Sequence, residues 1–370
     1  MAEPCLEPSG RRPGTVETDG ANQRGPTVYA TEETPMIVLV TGCAGFIGSR
    51  VAAVLLDQGH DVLGVDTLND DYDVRLKDWR LAQLQRRPSF RFDRLDITDR
   101  QAVDNLFAVT RRRSPLSAVI NLAARAGVRQ SIKDPWAYYQ TNAVGALNLL
   151  DACRVHGVGK LVQASTSSVY GDAPRPFRED ASTDRPLSPY AASKKAAEDL
   201  CYSYHHVYGL AVTVLRFFTV YGPAGRPDMS VFRFIQWIDG GDPVTVYGDG
   251  TQERDFTFVD DIARGTVAAV PLSGFEVVNL GSDDPVQLQE VIRRLEELLG
   301  KSADLRYSPP DPADVEATWA DISKARRMLD WSPQTTLEAG LATTVEWYRE
   351  NRSWARGLRR DPDTVIDNPR

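Results

Sequence analysis

Residues 37–48 read IVLVTGCAGFIG, a short apolar run that leads directly into a glycine-rich loop. The run predicts a buried strand, and the loop predicts a turn into a helix. In this loop Gly42 allows a tight turn, Gly45 lets backbone approach a pyrophosphate, and Gly48 lets helix and strand pack closely. The helix amino terminus that follows favours an anion. The residues expected to bind a dinucleotide here are Gly42, Gly45, Phe46, Ile47 and Gly48.

The rest of the amino-terminal half alternates β-branched runs with helical stretches. Further strands are predicted at 61–65, 90–95, 118–121, 161–164 and 211–216, with helices near 46–58, 74–86, 99–110, 141–156 and 188–208. Such alternation is typical of a parallel sheet covered by helices on both faces. It predicts an α/β fold with a doubly wound parallel (Rossmann) sheet over residues 36–216.

Beyond residue 216 this rhythm stops, and glycine and proline cluster at 221–227 and 240–250. Helices are predicted near 229–239, 286–299, 322–330 and 337–350. We expect a smaller carboxy-terminal lobe over 217–350 that binds substrate at the carboxyl edge of the sheet, with one segment able to return to the sheet. Residues 351–370 are predicted to form a tail. Residues 1–35, rich in proline and glycine, are predicted to form a disordered leader.

Composition restricts the possible partners of this 370-residue chain. Its formal net charge of −8 argues against nucleic acid as a binding partner. The sequence has no apolar stretch long enough to span a membrane. Its four cysteines show no CxxC spacing, which indicates a reducing cytoplasmic compartment and gives no sign of a metal site.

Polar and small residues follow successive predicted strands. Asp66 ends the second strand, where its carboxylate would accept hydrogen bonds from both ribose hydroxyls and repel a 2′-phosphate, so NAD is favoured over NADP. Asp96 and Ile97 follow the third strand and suit the adenine edge. The small residues after the fourth strand, expected beside the middle of the cofactor, are Leu122, Ala123 and Ala124.

A second group of residues suits proton transfer at a sugar hydroxyl. Tyr190 and Lys194 lie four residues apart, so they share one face of a helix. An ammonium and a cationic nicotinamide near the phenol would lower its pKa and make it a base near neutral pH. Hydroxyl groups at 165–168 follow the fifth strand, where one of them could hydrogen-bond the same sugar oxygen.

The motifs TGCAGFIG, NLAA, STSSVYG, YAASK and RDFTFVDD together resemble the extended short-chain dehydrogenase/reductases, in the nucleotide-sugar epimerase and dehydratase group. The resemblance covers residues 36 to about 350. It implies retained NAD, a triad of Thr166, Tyr190 and Lys194, and a carboxy-terminal lobe that binds a UDP-sugar. It adds Asn142 and Phe217 to the cofactor site. It also implies a homodimer through the helix near 99–110 and the helix starting at Tyr190.

Within that group, dehydrating and decarboxylating members typically carry an acid just before VYG, where this chain has Ser167 and Ser168. The lack of a carboxylate there favours epimerisation at C4 through a transient 4-keto sugar. The two serines are expected to contact the sugar.

Residues 68–77 and 216–229 resemble UDP-glucuronate 4-epimerases, which implies conversion of UDP-glucuronate to UDP-galacturonate. Thr219 and Arg226 are suited to the C6 carboxylate, with a loop ion pair between Arg226 and Asp228 as the alternative. By resemblance, Arg233 and Arg254 would meet the diphosphate; for Arg233 a solvated surface is the alternative.

Other activities remain open at this point. They are 4-epimerisation of UDP-glucose or a UDP-N-acetylhexosamine, decarboxylation of UDP-glucuronate, and a non-catalytic NAD-dependent scaffold, against which the complete triad argues. Arg125 stands where these epimerases often have glutamine, and it adds positive charge near the sugar pocket.

Overall fold

A computed structural model of the chain describes residues 35–309 and 315–358. The predicted leader, apart from Pro35, and residues 359–370 of the predicted tail lie outside the described residues. Within the described residues, no helix has both the length and the apolar character that a membrane span requires.

Seven parallel strands form the main sheet, six from residues 37–217 and a seventh from residues 275–280. They are β1 (Ile37–Thr41), β2 (Asp61–Asp66), β3 (Phe90–Arg94), β4 (Ala118–Asn121), β5 (Lys160–Thr166), β6 (Ala211–Phe217) and, tenth in chain order, β10 (Phe275–Leu280). Their spatial order is β10-β6-β5-β4-β1-β2-β3. The order reverses between β1 and β4, which opens a crevice at the carboxyl ends of these strands. The predicted doubly wound fold is confirmed.

Helices cover both faces of this sheet. They are α1 (Phe46–Asp57), α2 (Val74–Gln85), α3 (Arg100–Arg113), α4 (Val128–Lys133), α5 (Pro135–Tyr139), α6 (Gly145–His156) and α7 (Pro189–Tyr208). The alternation along β1 determines the two cores: Val38 and Val40 pack in the core that includes α1, and Leu39 packs with α3 and α6.

The helix predicted from residue 141 differs in its start. A π-helical turn, Gln140–Val144, precedes α6, and the short helices α4 and α5 come before it. Helix α5 begins at Pro135 because Asp134 caps it, accepting a hydrogen bond from Ala137 N at 3.2 Å.

The second half of the chain builds a smaller lobe and also returns to the main sheet. Its further elements are β7 (Thr219–Tyr221), α8 (Ser230–Gly240), β8 (Val244–Tyr247), β9 (Glu253–Phe258), α9 (Val259–Ala268), β11 (Pro285–Gln287), α10 (Leu288–Leu299), β12 (Leu305–Ser308), α11 (Ser323–Leu329), α12 (Leu337–Glu350) and α13 (Arg352–Ala355). Helices α8, α10 and α12 enclose a separate apolar core, whereas α9, β10 and α11 pack with the core of the main sheet.

The first residues of the predicted tail pack against this smaller lobe. Helix α13 and Leu358 contribute to its core, and Gln236 Nε2 donates to the carbonyl of Ala355 at 2.9 Å.

Candidate active site

The glycine loop after β1 is built so tightly that side chains would not fit. Gly42 has φ +67°, and a Cβ there would lie 2.8 Å from the backbone nitrogen of Ala123. A Cβ on Gly48 would lie 2.1 Å from the carbonyl oxygen of Gly42. Gly42 and Gly48 therefore hold β1, α1 and the loop after β4 in close contact.

This loop leads into a cavity of about 450 Å³ at the carboxyl edge of the sheet. Most of the predicted site residues line it: Gly42, Gly45, Phe46, Ile47, Gly48, Asp66, Ile97, Leu122, Ala123, Ala124, Thr166, Tyr190, Lys194, Phe217 and Arg226. The structure thus brings the predicted cofactor loop and the predicted triad into one cavity.

The amino-terminal end of α1 suits a pyrophosphate. Among the described residues, no side chain caps this helix at Gly45, and its first turn holds no acidic residue. Its backbone N–H groups and partial positive charge therefore favour an anion. Asp66 lies beside them, and its carboxylate accepts from Ala44 N at 3.2 Å and Leu68 N at 2.8 Å. Bare N–H groups, a carboxylate and small residues in one cavity fit NAD.

The predicted triad lies where β5 ends and α7 begins. Ser188 caps α7 by accepting a hydrogen bond from Ala191 N at 3.2 Å, and Pro189 is the first residue of the helix. Tyr190 therefore lies in the first turn of α7. Thr166, the last residue of β5, lines the cavity with Tyr190, and its hydroxyl acts to lower the pKa of that phenol. Lys194 follows one turn later on α7 and is buried.

Burial is the largest influence on the pKa values of Tyr190 and Lys194. Burial raises the pKa of Tyr190, while the hydrogen bond with Thr166 and the positive charge of Arg226 act to lower it. Burial also lowers the pKa of Lys194 to about 8, against the opposing charge of Glu198. The phenol is therefore protonated at neutral pH unless further positive charge reaches it.

Arg226 faces this cavity but carries its own counter-ion. Its Nε and Nη2 donate to the two carboxylate oxygens of Asp228 at 2.9 and 2.6 Å. Nη2 also donates to the carbonyl of Ala126 at 3.2 Å. The loop ion pair that the sequence left as the alternative is thus present, in a residue that also lines the cavity.

Two predicted cofactor residues do not line the cavity. The exposed Asp96 turns its carboxylate to the N–H of Thr98 at 2.8 Å. Asn142, in the π-helical turn, is buried, and its amide clamps the backbone of Arg125: Arg125 N donates to Oδ1 at 2.9 Å, and Nδ2 donates to Arg125 O at 3.0 Å. Both side chains therefore bind backbone groups beside the cavity, and their contact with the cofactor stays a prediction.

The predicted sugar-binding residues Ser167, Ser168 and Thr219 are not among the residues that line this cavity. Ser167 and Ser168 form a 3₁₀ turn after β5, and Ser168 Oγ lies 3.2 Å from Thr166 Oγ1. Thr219 lines a small neighbouring cavity, to which Arg226 also belongs.

The two predicted phosphate ligands lie outside the main cavity. Arg233 stacks its guanidinium on the ring of Trp237 at 4.4 Å. Arg254 donates to the carbonyl of its neighbour Glu253 at 2.7 Å. The structure therefore does not bring either residue to the triad, and their roles stay predictions.

Sequence reasoning missed several residues of the cavity wall. Lys77, Asp71, Tyr72 and Tyr138 line it. The signal for three of them was present in the segment 68–77, which was read only as a resemblance.

The buried Arg80 was also missed, although it ties the wall together. Its guanidinium donates to Ala44 O in the glycine loop at 3.1 Å, to the Tyr72 hydroxyl at 2.7 Å, and to Ala224 O at 2.6 Å. One side chain thus joins the cofactor loop to the loop that carries Arg226.

The profile of the NAD dependent epimerase/dehydratase family matches residues 38–281. The chain belongs to the NAD dependent epimerase/dehydratase family. Its predicted family membership and its predicted cofactor, NAD, are confirmed.

Relatives within the family narrow the comparison. The chain is 54% identical to a UDP-glucuronate 4-epimerase of Thermodesulfobacterium geofontis (strain OPF15), over 85% of this chain and 96% of that protein. The crystal structure of UDP-glucuronic acid 4-epimerase from Bacillus cereus, in complex with UDP-glucuronic acid and NAD, is similar with a TM-score of 0.80 and 38% identity, covering 85% of this chain and 100% of that chain.

A UDP-glucose epimerase is also similar. The crystal structure of UDP-glucose 4-epimerase from Thermotoga maritima, with UDP-glucose, has a TM-score of 0.78 and 32% identity, covering 86% of this chain and 100% of that chain.

Proposed function

We propose that this chain interconverts UDP-glucuronate and UDP-galacturonate by epimerisation at C4, through a transient 4-keto sugar. The observation that carries the proposal is the meeting of Thr166, Tyr190 and Lys194 with the glycine loop and Arg226 in one cavity. The relatives named for UDP-glucuronate support the choice of sugar.

The glycine loop, Asp66 and the residues Leu122–Ala124 would hold NAD, because they line the cavity beside the uncapped end of α1. The chemistry that NAD supplies when bound is the reversible acceptance of a hydride. Asp66 would accept from the ribose hydroxyls, since its carboxylate faces the same cavity as the loop.

Tyr190 is the proposed acid–base group. Its phenol oxygen takes the proton of the C4 hydroxyl and later returns a proton to the same oxygen. Thr166 donates a hydrogen bond that favours the phenolate, and the cation Lys194 shares the helix face. Because burial alone raises the pKa of Tyr190, the base form depends on these partners and on positive charge brought by the bound cofactor.

Arg226 is the proposed partner of the C6 carboxylate. It lies close enough to Tyr190 for its charge to lower the pKa of that phenol. Asp228 holds Nε and Nη2, so the guanidinium is fixed in orientation and meets the sugar through Nη1 or by exchanging Asp228 for the substrate. A carboxylate held in this way is kept away from the orientation in which a 4-keto acid loses CO₂.

UDP-glucose is the second candidate substrate. The bidentate pair with Asp228 already satisfies much of Arg226, which favours a sugar without a carboxylate. Dehydration and decarboxylation are disfavoured because Ser167 and Ser168 provide no acid after β5.

The purified chain, incubated with UDP-glucuronate and no added NAD, should yield UDP-galacturonate when the two epimers are resolved by chromatography. Parallel incubations with UDP-glucose and UDP-N-acetylglucosamine identify the preferred sugar, and release of CO₂ would identify a decarboxylase. Tyr190→Phe should retain NAD and lose nearly all turnover. Substantial residual epimerisation by that variant would contradict the assignment of Tyr190.

We further propose a cytoplasmic homodimer that uses α3 and α7. In support, large apolar side chains are exposed on these helices, with Val109 on α3 and Tyr202, Val207 and Tyr208 on α7. Light scattering of the purified chain should give twice the monomer mass, and Tyr202→Glu with Val207→Glu should halve it.

A further inference from the structure

An ion pair crosses the cavity between two of its loops. Arg125 lies in the loop after β4, and its Nη1 contacts Asp71 Oδ1, in the loop between β2 and α2, at 2.6 Å. Both residues line the cavity. Arg125 is the position at which this chain departs from the glutamine common in the epimerases it resembles, and neither residue has a role in the proposed chemistry.

The strand order shows what the pair passes over. In the main sheet β1 lies between β4 and β2, and the glycine loop leaves the carboxyl end of β1. A contact between the loops after β4 and β2 must therefore cross above the end of β1. The proposed placement of NAD puts the pyrophosphate at this point, against the backbone N–H groups at the start of α1.

Side chains hold the Asp71 end of this bridge. Asp71 Oδ2 accepts from Asn69 Nδ2 at 3.0 Å. Asn69 Oδ1 in turn accepts from Lys77, a buried residue of α2. The loop after β2 is thus anchored to the helix that follows it.

The Arg125 end is anchored to the catalytic helix. Asn142 binds both backbone polar groups of Arg125 and donates to Ser193 Oγ at 2.9 Å. Ser193 lies between Tyr190 and Lys194 on α7. The two ends of the bridge are therefore fixed, and the ion pair itself is the part that can open.

We propose that the Arg125–Asp71 ion pair is a closure over the dinucleotide that slows the release of NAD between turnovers. The two side chains are 33% and 29% exposed, so water reaches the pair and the cost of opening it is modest. The inference rests on the proposed placement of NAD along the glycine loop.

The test measures release of NAD from the purified holoenzyme. Excess alcohol dehydrogenase and ethanol convert each released NAD to NADH, which is followed by its absorbance. Arg125→Gln and Asp71→Asn should each release NAD about three- to five-fold faster than wild type, as expected for a partly exposed pair. High salt should speed release from wild type towards the rate of the variants, whose own rates should change little.

Two further variants separate the closure from a general effect of lost charge. The exchange Asp71→Arg with Arg125→Asp should restore slow release. Arg306→Gln removes an exposed ion pair with Asp304 that does not line the cavity, and it should release NAD at the wild-type rate.

Three results would overturn the closure: wild-type release rates in both single variants, no recovery in the exchange variant, or a raised KM for UDP-glucuronate with unchanged NAD release, which would assign Arg125 to the sugar. If wild type carries no NAD, the proposed cofactor placement fails instead. The NAD content of wild type thus distinguishes the two failures.

Discussion

Replacement of Arg226 by leucine tests which sugar the cavity is built for. In wild type the guanidinium is held by Asp228, with Nη2–Oδ2 at 2.6 Å, and it lines the same cavity as Tyr190. Arg226→Leu removes a charge-assisted hydrogen bond to the C6 carboxylate and leaves Asp228 to repel that carboxylate. UDP-glucose carries a neutral hydroxymethyl group at the same place and suffers neither loss.

The size of the effect follows from the surroundings of the pair. A hydrogen bond to a charged group contributes about 1.5–3 kcal/mol. The repulsion from Asp228 adds little, because its side chain is 29% exposed and water screens it. A total of about 2–3 kcal/mol corresponds to a loss of about 30- to 150-fold in kcat/KM for UDP-glucuronate. For UDP-glucose we expect a change of less than about three-fold.

The assay measures kcat/KM for both sugars in wild type, Arg226→Leu, Asp228→Asn and the double variant. The double variant should recover part of the loss, because the uncompensated carboxylate is gone. Thermal unfolding of each variant checks that the loss of the Ala126 contact has not unfolded the loop. Equal losses for both sugars, or no loss for UDP-glucuronate, would refute the reasoning.

Three other predictions follow from the site. Because Lys194 has a pKa of about 8, below its usual value, it is charged below that pH, and kcat should fall as the pH rises through about 8; a kcat that stays level well above that pH would contradict this. Asn142→Ala should lower the free energy of unfolding by about 1–3 kcal/mol, because the substitution leaves the backbone N–H and C=O of Arg125 without their hydrogen-bond partner. A lower NAD content at unchanged stability would instead show that Asn142 is a direct NAD ligand. Gly48→Ala should lower the melting temperature and the NAD content together, since its Cβ would lie 2.1 Å from Gly42 O; an unaltered melting temperature would show that α1 moves freely.

What the sequence could predict was the part of the site carried by short contiguous motifs. The glycine loop is specified by backbone requirements that no other residue meets, and the i, i+4 spacing of Tyr190 and Lys194 is fixed by helix geometry alone. The fifth strand was predicted at 161–164, and in the structure it continues to Thr166. These local rules placed the loop and the triad at the same edge of the sheet.

The rest depends on where long side chains reach, and spacing does not determine that. Arg80 lies in the middle of α2 and looks like a solvated helix residue, yet it is 3% exposed and reaches three separate loops. Asp96 was expected to face the adenine, but the carboxylate satisfies a nearby N–H in its own turn. Asn142 was assigned to NAD, and its amide is instead taken by backbone groups of Arg125.

The partial burial of Tyr190 was the other feature that the sequence could not predict. A tyrosine followed by a lysine four residues later suggested a phenol with a lowered pKa, because only the charges were considered. In the folded chain the removal of water outweighs the hydrogen bond of Thr166 and the charge of Arg226, and it raises the pKa of Tyr190. Burial also lowers the pKa of Lys194 to about 8, so the two pKa values move apart and the neutral form of each group is favoured.

The charge of the cavity explains how an acidic chain can hold anionic ligands. The chain has a net charge of −8, whereas the cavity wall has a slight excess of cations over carboxylates. Arg125 and Arg226 each form an ion pair with an aspartate, with a nitrogen–oxygen distance of 2.6 Å in both cases. The net charge of the cavity wall therefore attracts an anionic ligand only weakly, and the ligand must be recognised by guanidinium groups whose orientation is already fixed. The aspartates contribute that orientation: they neutralise the two arginines and hold each guanidinium in a fixed direction.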